Sequence, residues 1–333
     1  MTTSANELYG SPKRQISIIL PVLNEADHLE ESVQSILTQD YLGDIEIILA
    51  IAPSQDETEK IAHALAEKDS RIVLVENPSG RTASALNIAI AATKYSIIVR
   101  VDGHSQIPKN YLTLVSEILE KTGAVNVGGV MDAQGRTLFE RGVARAMKSA
   151  LGVGASRFHT GGAAGEADTV YLGAFRKEAL IAAGCFDERF TRAQDWELNH
   201  RLRKAGGKIY FDPRLVVTYR PRSSVLALAK QYFNYGRWRR VVSRTHQGTI
   251  NYRYLAPPVA VLGSLLSILM SFFLSTIFIV PLAIYLTFIL LASFRIARSI
   301  GEIICMPLIL LTMHMSWGIG FITSPKSLAP KAK

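Results

Sequence analysis

Hydrophobic positions in the first hundred residues fall into two alternating patterns. Short runs rich in isoleucine, leucine and valine predict strands at residues 16–22, 45–51, 72–76 and 96–101. The segments between them have apolar residues three or four apart, as in residues 29–37, where Asp27 is a predicted cap with Glu30 three residues later. Strands that alternate with helices predict an α/β fold, a doubly wound and mostly parallel sheet with helices on both faces.

Beyond Lys121 the pattern becomes irregular and rich in glycine, which suits a loop that wraps a substrate but more often marks flexible connections. Order returns at residues 195–204, a predicted helix with a basic end that Gly206 and Gly207 close. Residues 223–242 are amphipathic, with aromatic side chains among arginines. This composition favours a helix in the membrane interface, although a surface helix packed on the core would have a similar pattern.

Two apolar runs near the end of the chain predict membrane segments. Residues 255–294 contain no Asp, Glu, Lys or Arg, and residues 303–323 contain only His314 among titratable side chains other than cysteine. A helix crosses the hydrocarbon layer with about 20 residues, so the first run predicts two helices joined near residues 275–281. The second run either spans the membrane or is re-entrant or interfacial, and its composition fits each of these.

Basic residues flank the first apolar run, with Arg253 before it and Arg295 after it. The positive-inside rule therefore predicts a multi-pass protein of the cell membrane whose soluble part is cytoplasmic. The start of the chain lacks the apolar core of a secretory signal, in agreement with this orientation. In chain order we expect a tail at 1–14, a soluble domain at 15–222, an interfacial segment at 223–254, membrane segments at 255–323 and a tail at 324–333.

The overall composition narrows the range of partners. The 333 residues carry 37 basic and 28 acidic side chains, a formal net charge of +9, and much of the excess lies at residues 189–253. A basic patch directly before a membrane segment fits anionic lipid headgroups and phosphorylated substrates better than nucleic acid, so no nucleic-acid partner is predicted. The two cysteines, Cys185 and Cys305, lack CxxC spacing, so neither disulfide nor zinc chemistry is expected.

Ligands of parallel sheets bind beyond the carboxyl ends of the strands, and here Asp102, Gly103 and His104 follow the fourth predicted strand. An Asp together with the side chain two residues later can hold a divalent cation between two phosphates, where the cation offsets the charge of a departing diphosphate. An Asp-Gly pair after a strand is also a common turn, so the tripeptide alone fits both interpretations.

Two further groups could serve such chemistry. Asp195, at the start of the predicted helix 195–204, could accept the proton of a sugar hydroxyl that attacks an anomeric carbon. An acid at that position would also complement the helix dipole without any catalytic role. Arg237 and Trp238 could contact phosphate and a sugar ring, although an interfacial aromatic anchor explains Trp238 equally well.

Taken in order, a set of stretches resembles glycosyltransferase family 2, whose catalytic domain has a doubly wound sheet. These stretches lie at residues 18–25, 54–58, 85–87, 102–104, 184–187 and 194–197. The likeness covers residues 15–240. The succinoglycan-type exopolysaccharide transferases, which extend glycans on polyprenyl diphosphate carriers, look closest at residues 100–104, 170–176 and 231–238.

This resemblance implies an inverting glycosyltransferase that moves a sugar from a nucleotide-diphosphate donor, expected to be a UDP-sugar, to a polyprenyl-linked glycan. Asp195 would be the catalytic base, and Asp102 and His104 would hold Mn²⁺ or Mg²⁺. The residues implied in binding the nucleotide-sugar donor are Pro21, Asn24, Glu25, Asp56, Arg81, Asn87, Arg100 and Asp102. The residues implied in binding acceptor or phosphate are Gly173, Gln194, Arg237 and Trp238.

Departures from the family pattern leave alternatives open. Residues 51–54 read Ile-Ala-Pro-Ser where relatives commonly carry Asp-Asp-Gly-Ser, so a carboxylate expected near the uracil is missing. His104 replaces a second Asp, which favours Mn²⁺ over Mg²⁺ or a direct contact with phosphate. The wide spacing between Gln231 and Arg237 favours transfer of a single sugar over polymer synthesis. The rival functions are a polyprenyl-monophosphate sugar synthase and a non-catalytic membrane scaffold of the same fold.

Overall fold

The computed structural model describes residues 14–154 and 156–330, which fold into two compact units. The first unit comprises the residues up to Asp132 together with 161–219, and the second comprises 133–160 together with residues from Arg220 onward. The predicted tail at 1–14, apart from Arg14, and the last three residues lie outside the described residues. Segment 133–160, in the middle of the predicted soluble domain, groups with the C-terminal helices.

A single sheet forms the frame of the first unit. Its strands are β1 (Ile16–Val22), β2 (Ile45–Ile51), β3 (Ile72–Glu76), β4 (Ile97–Arg100), β5 (Asn126–Ala133), β6 (Gly165–Glu166), β7 (Tyr171–Arg176) and β8 (Ile209–Tyr219). They lie in the order β3-β2-β1-β4-β7-β5-β8-β6. β1 pairs in parallel with β2 and β4, and β2 with β3, whereas β7 is antiparallel to β4 and β5, and β6 to β8. The predicted doubly wound α/β fold is confirmed, and an antiparallel half extends it.

The helices belong to both units. In chain order they are α1 (Leu29–Leu37), α2 (Thr58–Lys68), α3 (Thr82–Ala92), α4 (Tyr111–Thr122), α5 (Leu138–Met147), α6 (Ala150–Val153), α7 (Arg157–Thr160), α8 (Lys177–Ala182), α9 (Gln194–Lys204), α10 (Val225–Thr245), α11 (Ala256–Phe273), α12 (Val280–Ile296) and α13 (Ile300–Ile322). Short 3₁₀ turns lie at Tyr252–Tyr254, Thr276–Ile279 and Lys326–Leu328.

The predicted bounds hold for β1, β2 and β3, while β4 is shorter and Val101 still donates to the carbonyl of Ile19 at 3.1 Å. The cap predicted for α1 is wrong, because His28 occupies the cap position and no side chain bonds there; Asp27 lies one residue too early. The predicted closure of α9 is confirmed, with Gly206 at φ +86°. α5 was not predicted, although Thr137 and Glu140 form a capping box at its start.

The parallel strands position the candidate site. β1, β2 and β4 are apolar and almost wholly buried, since helices cover both faces of the sheet. The chain proceeds from β1 outward through β2 to β3 and then returns to place β4 on the other side of β1. In doubly wound sheets, ligands bind at this reversal, beyond the carboxyl ends of the two strands concerned. Those ends lead to Asn24 and to Asp102.

The second unit is built around α13, which contacts α5, α6, α10, α11 and α12. Two glycines allow α10 and α13 to touch through their backbones. A Cβ atom on Gly236 would lie 1.9 Å from the carbonyl oxygen of Trp317, and one on Gly320 would lie 2.0 Å from that of Phe233. Small residues at a helix interface permit such close approach, so neither position accepts a side chain without moving a helix.

α11 and α12 form the predicted hairpin, with the connection where the sequence placed it. The Ser267 hydroxyl donates to the carbonyl of Phe278 at 2.5 Å and accepts from the Leu282 amide at 3.3 Å. Within the described residues, three helices are long and apolar enough to cross a membrane: Tyr252–Phe273, Thr276–Ile296 and Ile300–Ile322.

Candidate functional site

The carboxyl end of β4 leads into the turn that carries Asp102. The carbonyl of Asp102 accepts from the Ser105 amide at 2.9 Å and from the Ser32 hydroxyl at 3.2 Å. The turn that an Asp-Gly pair suggests is therefore present. It fixes the backbone while the Asp102 side chain projects elsewhere, so the turn and the ligand interpretations are compatible.

The guanidinium of Arg100 joins two carboxylates that lie far apart in the sequence. Its Nε and Nη2 each lie 2.9 Å from Oδ1 of Asp102, and its Nη1 donates to Oδ1 of Asp195. The Arg100 side chain is 5% exposed, whereas Asp195 is half-buried. Among residues 14–154 and 156–330, nothing hydrogen-bonds to Oδ2 of either acid. One oxygen of each carboxylate thus stays available to a ligand.

Burial and charge together set the protonation of these three groups. Burial lowers the pKa of Arg100, but Asp102 and Asp195 outweigh it and the net pKa rises, so the guanidinium stays charged. The pKa of Asp195 is also raised, because burial outweighs the opposing charge of Arg100 and the Asp102 charge adds to the rise. A carboxylate with a raised pKa accepts protons more readily than an ordinary Asp, which suits a general base.

His104 pairs with a carboxylate from the neighbouring strand end. Its Nδ1 lies 2.7 Å from Oε1 of Glu25, and its ring meets the edge of Tyr219 with centroids 6.1 Å apart. Gly103 permits this approach, since a Cβ atom there would lie 2.9 Å from Cγ of Glu25. A carboxylate on Nδ1 favours the tautomer whose Nε2 carries the lone pair, as in metal-bound histidines.

These side chains fit a metal that is shared with a substrate. No cluster of three or more His, Cys, Asp or Glu side chains suited to a metal occurs in the part of the chain that the structure describes. Asp102 offers Oδ2, and the partner on Nδ1 orients the imidazole of His104. Two protein ligands leave most of the coordination shell of Mn²⁺ or Mg²⁺ to phosphate oxygens and water, which is how Mg²⁺ commonly binds with nucleotides.

The loops after β1 and β2 are joined by hydrogen bonds from residues that the sequence assigned to the donor pocket. Asn24, at φ +54°, donates its amide to Oγ of Ser54 at 3.1 Å and accepts from the Gln55 amide at 2.8 Å. Asp56 accepts from the Ala26 amide at 3.2 Å and from the hydroxyl of Thr58, and that hydroxyl bond is the main reason why its pKa is lowered. These bonds hold the loops after β1 and β2 together at the carboxyl ends of the two strands.

Asn87 helps to place the candidate base. Its amide nitrogen donates to the carbonyl of Phe186 and its Oδ1 accepts from the Phe186 amide, each at 2.9 Å. The same nitrogen lies 3.0 Å from Oε1 of Glu188. α3 thus fastens the loop that runs into α9, where Ala193 at φ +61° turns the chain just before Asp195.

A pair of buried amides holds α9 one turn beyond Asp195. Asn199 accepts from Nδ2 of Asn126 at 2.6 Å and donates to the hydroxyl of Thr169 at 2.9 Å. Gly173 makes room for this pair, because a Cβ atom there would lie 2.3 Å from Oδ1 of Asn126. Gly173, expected at the acceptor, therefore lies beside the network that supports the base helix.

Five further residues were assigned to binding from the sequence: Pro21, Arg81, Gln194, Arg237 and Trp238. Pro21 is the penultimate residue of β1, and Arg81 is exposed at the start of α3. Gln194 is buried in the first turn of α9. Arg237 and Trp238 belong to the second unit, where Arg237 lies 4.5 Å from the centroid of the Phe233 ring and Trp238 is buried in α10.

Two features of the site were missed from the sequence. Arg100 was assigned to donor binding, and its contact with Asp195 was not predicted. Its position could have indicated an acidic partner, because an arginine at the end of a strand buried on both faces needs one. Tyr171 was not singled out at all. Burial raises the pKa of this tyrosine well above the usual value, and the charge of Asp102 adds to this rise.

Known proteins resemble this chain over much of its length. Residues 17–204 match the family described as Glycosyl transferase family 2. Succinoglycan biosynthesis protein ExoA of Rhizobium meliloti (strain 1021) is 30% identical over 91% of this chain and 93% of its own. A dolichyl N-acetyl-alpha-D-glucosaminyl phosphate 3-beta-D-2,3-diacetamido-2,3-dideoxy-beta-D-glucuronosyltransferase of Methanococcus voltae is 26% identical over 92% of this chain and 95% of its own.

Solved structures share the fold. Mannosyltransferase PcManGT from Pyrobaculum calidifontis, in complex with GDP-Man and Mn²⁺, has a TM-score of 0.59 at 18% identity over 93% of this chain and 86% of its own. S. aureus TarS 1-349 in complex with UDP-GlcNAc has a TM-score of 0.52 at 15% identity over 73% of this chain and 70% of its own. The family match spans more than half of the chain and the likeness to ExoA nearly all of it; the chain belongs to glycosyl transferase family 2.

Proposed function

We propose that this glycosyltransferase transfers a single sugar, with inversion, from a UDP-sugar to a glycan carried on polyprenyl diphosphate. The observation that carries the proposal is the Arg100 guanidinium, which brings Asp102 and Asp195 together at the carboxyl end of β4. A cation ligand and a base are the two groups that displacement of a nucleoside diphosphate requires. Relatives named for succinoglycan biosynthesis and for transfer to a dolichyl-linked sugar support the lipid-linked acceptor.

The donor diphosphate would bind beside the turn at Asp102. Asp102 and His104 would hold Mn²⁺ or Mg²⁺ jointly with the diphosphate, and the metal would act as a Lewis acid on the leaving group. The binding of GDP-Man and Mn²⁺ by PcManGT, which has the same fold, supports this assignment. Glu25 would orient the imidazole of His104, because a hydrogen-bonded carboxylate fixes the ring of a metal-binding histidine.

Asp195 would remove the proton of the acceptor. The hydroxyl oxygen attacks the anomeric carbon, and the bond from that carbon to the diphosphate oxygen breaks. The electron pair leaves with the nucleoside diphosphate, and the proton moves to Oδ2 of Asp195. Arg100 holds Oδ1 of the same carboxylate, which would leave Oδ2 to take the proton from the acceptor. One displacement inverts the configuration at the anomeric carbon.

Attachment to the membrane would bring the enzyme to its lipid-linked acceptor. Residues 15–222, apart from those that group with the C-terminal helices, would form the catalytic domain on the cytoplasmic side. Residues 223–254 would lie at the interface with membrane lipids, and 255–323 would hold the membrane segments. The basic residues that flank α11 and α12, such as Arg253 and Arg295, support this orientation of a multi-pass protein.

The base assignment is tested by Asp195→Asn in the full chain in membranes. We expect transfer of labelled sugar into lipid to fall roughly 10²- to 10⁴-fold, with donor affinity unchanged by calorimetry. Asp168→Asn, at an exposed acid paired with Arg203, is the matched control and should transfer normally. Wild-type turnover of Asp195→Asn would refute the base and favour direct transfer to polyprenyl monophosphate, whose oxygen is already anionic.

The donor is identified by a panel of UDP- and GDP-sugars supplied to the same membranes with Mn²⁺ or Mg²⁺. A single UDP-sugar that labels a lipid is the expected result. Labelling from a GDP-sugar alone would overturn the nucleotide assignment while leaving the roles of Asp102 and Asp195 intact. If no donor labelled lipid in membranes that contain glycans on polyprenyl diphosphate, the proposal that such a glycan is the acceptor would be refuted.

A further inference from the structure

α13 has the length and composition of a membrane span. It runs over 23 residues, from Ile300 to Ile322. At about 1.5 Å per residue it would reach across a hydrocarbon layer about 30 Å thick. It is nevertheless more buried than the two helices of the hairpin. The protein buries 33% of the apolar stretch of α13, but only 11% of that of α11 and 17% of that of α12.

We propose that α13 does not cross the membrane but lies along its cytoplasmic surface, with one side in the boundary between headgroups and acyl chains. The chain then crosses only twice, through α11 and α12, and its C-terminal tail stays on the side of the sheet. This inference rests on the membrane placement proposed above, and it fixes the one segment whose path the sequence left open.

The two ends of α13 are held by α5 and α10. At the start, a Cβ atom on Gly301 would lie 3.0 Å from the side chain of Leu138, and one on Gly142 would lie 2.6 Å from Ile309. At the end, Arg244 donates to the carbonyl of Ser324 at 2.9 Å, and the Ser324 hydroxyl donates to the carbonyl of Arg237 at 3.0 Å. Where α5 and α10 lie therefore decides where both ends of α13 lie.

α5 and α10 are on the same side of the membrane as the sheet. α5 follows β5 and α10 follows β8 along the chain, and no candidate span in the described residues begins before Tyr252. Neither helix can itself cross. α10 carries Lys230, Arg237, Arg239, Arg240 and Arg244 along its length, and charged side chains are strongly disfavoured in the hydrocarbon layer. Both ends of α13 thus lie on the cytoplasmic side.

The hairpin is buried mainly near its charged end, although α13 also reaches the first half of α12, where Nδ1 of His314 lies 3.2 Å from the hydroxyl of Tyr285. The buried residues of α12 all lie in its second half: Ile289, Ala292, Ser293 and Ile296. Those of α11 are Pro258 in the first turn and Ser267, which bonds within the hairpin. Gly318 of α13 lies against the first turn of α11, since a Cβ atom there would be 2.5 Å from the carbonyl oxygen of Pro257. A helix that crossed beside the hairpin would bury α12 along its whole length, whereas the first half of α12 has no buried residue.

The surface of α13 agrees with a position in the interface. Its strongly exposed apolar residues recur at helical spacing on one side: Ile300, Ile304, Leu308, Ile319 and Ile322. The middle of the helix has polar partners, with Nε2 of His314 at 3.0 Å from the carbonyl oxygen of Leu151 in α6. Tyr254, Trp317 and Phe321 stack in succession beside the start of α11, as aromatic side chains do at the headgroup level.

Sidedness is measured with single cysteines in the full chain, in a Cys185→Ser, Cys305→Ser background. Lys60→Cys reports the sheet, Thr276→Cys the turn of the hairpin, and Ser327→Cys the tail after α13; all three positions are exposed. A membrane-impermeant maleimide is applied to intact cells and then to permeabilised ones. We expect Thr276→Cys to react in intact cells, and the other two only after permeabilisation.

Two outcomes would overturn parts of this picture separately. Reaction of Ser327→Cys together with Thr276→Cys in intact cells shows that α13 crosses, which refutes the inference and leaves the hairpin. Protection of Thr276→Cys alongside Lys60→Cys shows that the hairpin does not cross, which refutes the proposed membrane placement and the inference with it. If the cysteine-free background fails to fold, the unaltered chain is instead fused after Lys333 to a fluorescent protein that matures only in the cytoplasm. Fluorescence of the fusion supports the inference, and an intact fusion without fluorescence overturns it.

Depth is an independent readout of the same inference. A bimane probe is placed on Ile304→Cys, Leu311→Cys or Ile319→Cys, and the protein is reconstituted in phosphatidylcholine–phosphatidylglycerol vesicles with brominated lipids. A helix in the interface gives all three probes their strongest quenching from bromines near the headgroups. A crossing helix gives the probe at Leu311 its strongest quenching from bromines at the chain ends, and that result would refute the proposal.

Discussion

Two buried arginines, one in each compact unit, show how differently the chain uses the same side chain. Arg100 faces two carboxylates, whereas Arg239 lies 4.0 Å from the centroid of the Tyr254 ring and donates to the carbonyl of Thr249. A carboxylate can exchange a guanidinium for a metal ion or a proton. An aromatic face and an amide carbonyl cannot. The first arrangement can therefore take part in a reaction, while the second only anchors α10.

Stability alone does not explain the groups around Arg100. A buried ion pair gives little net stabilisation, because the loss of water around each charge offsets the attraction. The stacked arrangement around Arg239 costs less, since a guanidinium is weakly hydrated and its stem packs against the ring. Removal of one partner still costs stability, because it leaves a buried charge unpaired. The comparison therefore predicts that changes around Arg100 lower both transfer and stability, and that changes around Arg239 lower stability alone.

The largest effect is expected for Asp102→Asn. Loss of a charged ligand at the diphosphate removes several kcal/mol of transition-state stabilisation, so kcat/KM for sugar transfer should fall about 10³-fold. The unfolding temperature should fall only a little. Asp69→Asn, which breaks a surface pair with Arg71, is the control and should transfer normally. Undiminished transfer by Asp102→Asn would remove the metal role from this carboxylate.

Arg100→Met comes next and tests the comparison most directly. The substitution leaves two acids close together without their shared cation, so the base loses its orientation and kcat should fall about 10²-fold. KM for the donor should change less than kcat, which separates positioning of the base from binding of the nucleotide. The unfolding temperature should also fall, because two acids lose their shared cation. If the loss of transfer only followed the loss of folded protein, Arg100 would merely support the fold.

The same variant should change the pH dependence of transfer. Asp195 acts unprotonated, so activity is present above its pKa and is lost as the pH falls through that pKa. The charge of Arg100 lowers this pKa, while burial and Asp102 raise it. Removal of Arg100 therefore raises the pKa further, and the acid limb of kcat/KM should move to higher pH. A limb that stays in place, or moves to lower pH, would show that another group is the base.

A smaller effect is expected for Glu25→Gln. The amide cannot hold the imidazole of His104 as the carboxylate does, and loss of such a partner commonly lowers metal affinity 10- to 100-fold. The affinity for Mn²⁺ in the presence of nucleotide is measured by electron paramagnetic resonance. Glu31→Gln, at an exposed acid that contacts Gln106, is the matched control. Unchanged Mn²⁺ affinity would support a direct contact of His104 with phosphate instead.

The sequence predicted much of the first unit, including its strands and the acids of the candidate site, but little of the second unit's packing. β1, β2 and β4 are buried on both faces and so read as continuous apolar runs, and Asp102 and Asp195 stand in ordered motifs. The bond from Arg100 to Asp195 joins residues 95 positions apart in the sequence. A contact between residues so far apart leaves no local pattern from which it could be predicted. α5 was missed because the glycines before and after it, at 128, 129, 152 and 154, made the whole stretch resemble a loop, although its capping box was readable.

The smallest loss of transfer is expected for Arg239→Met, and this variant closes the comparison. It removes the contact with Tyr254, worth about 1–2 kcal/mol for a desolvated ring, so the unfolding temperature should fall while kcat and KM stay the same. A methionine fills much of the same space, so the helix interface around Gly236 persists. If Arg239→Met lost transfer as Arg100→Met does, the second arginine would also serve the reaction, and the partners of an arginine would not reveal whether it acts or anchors.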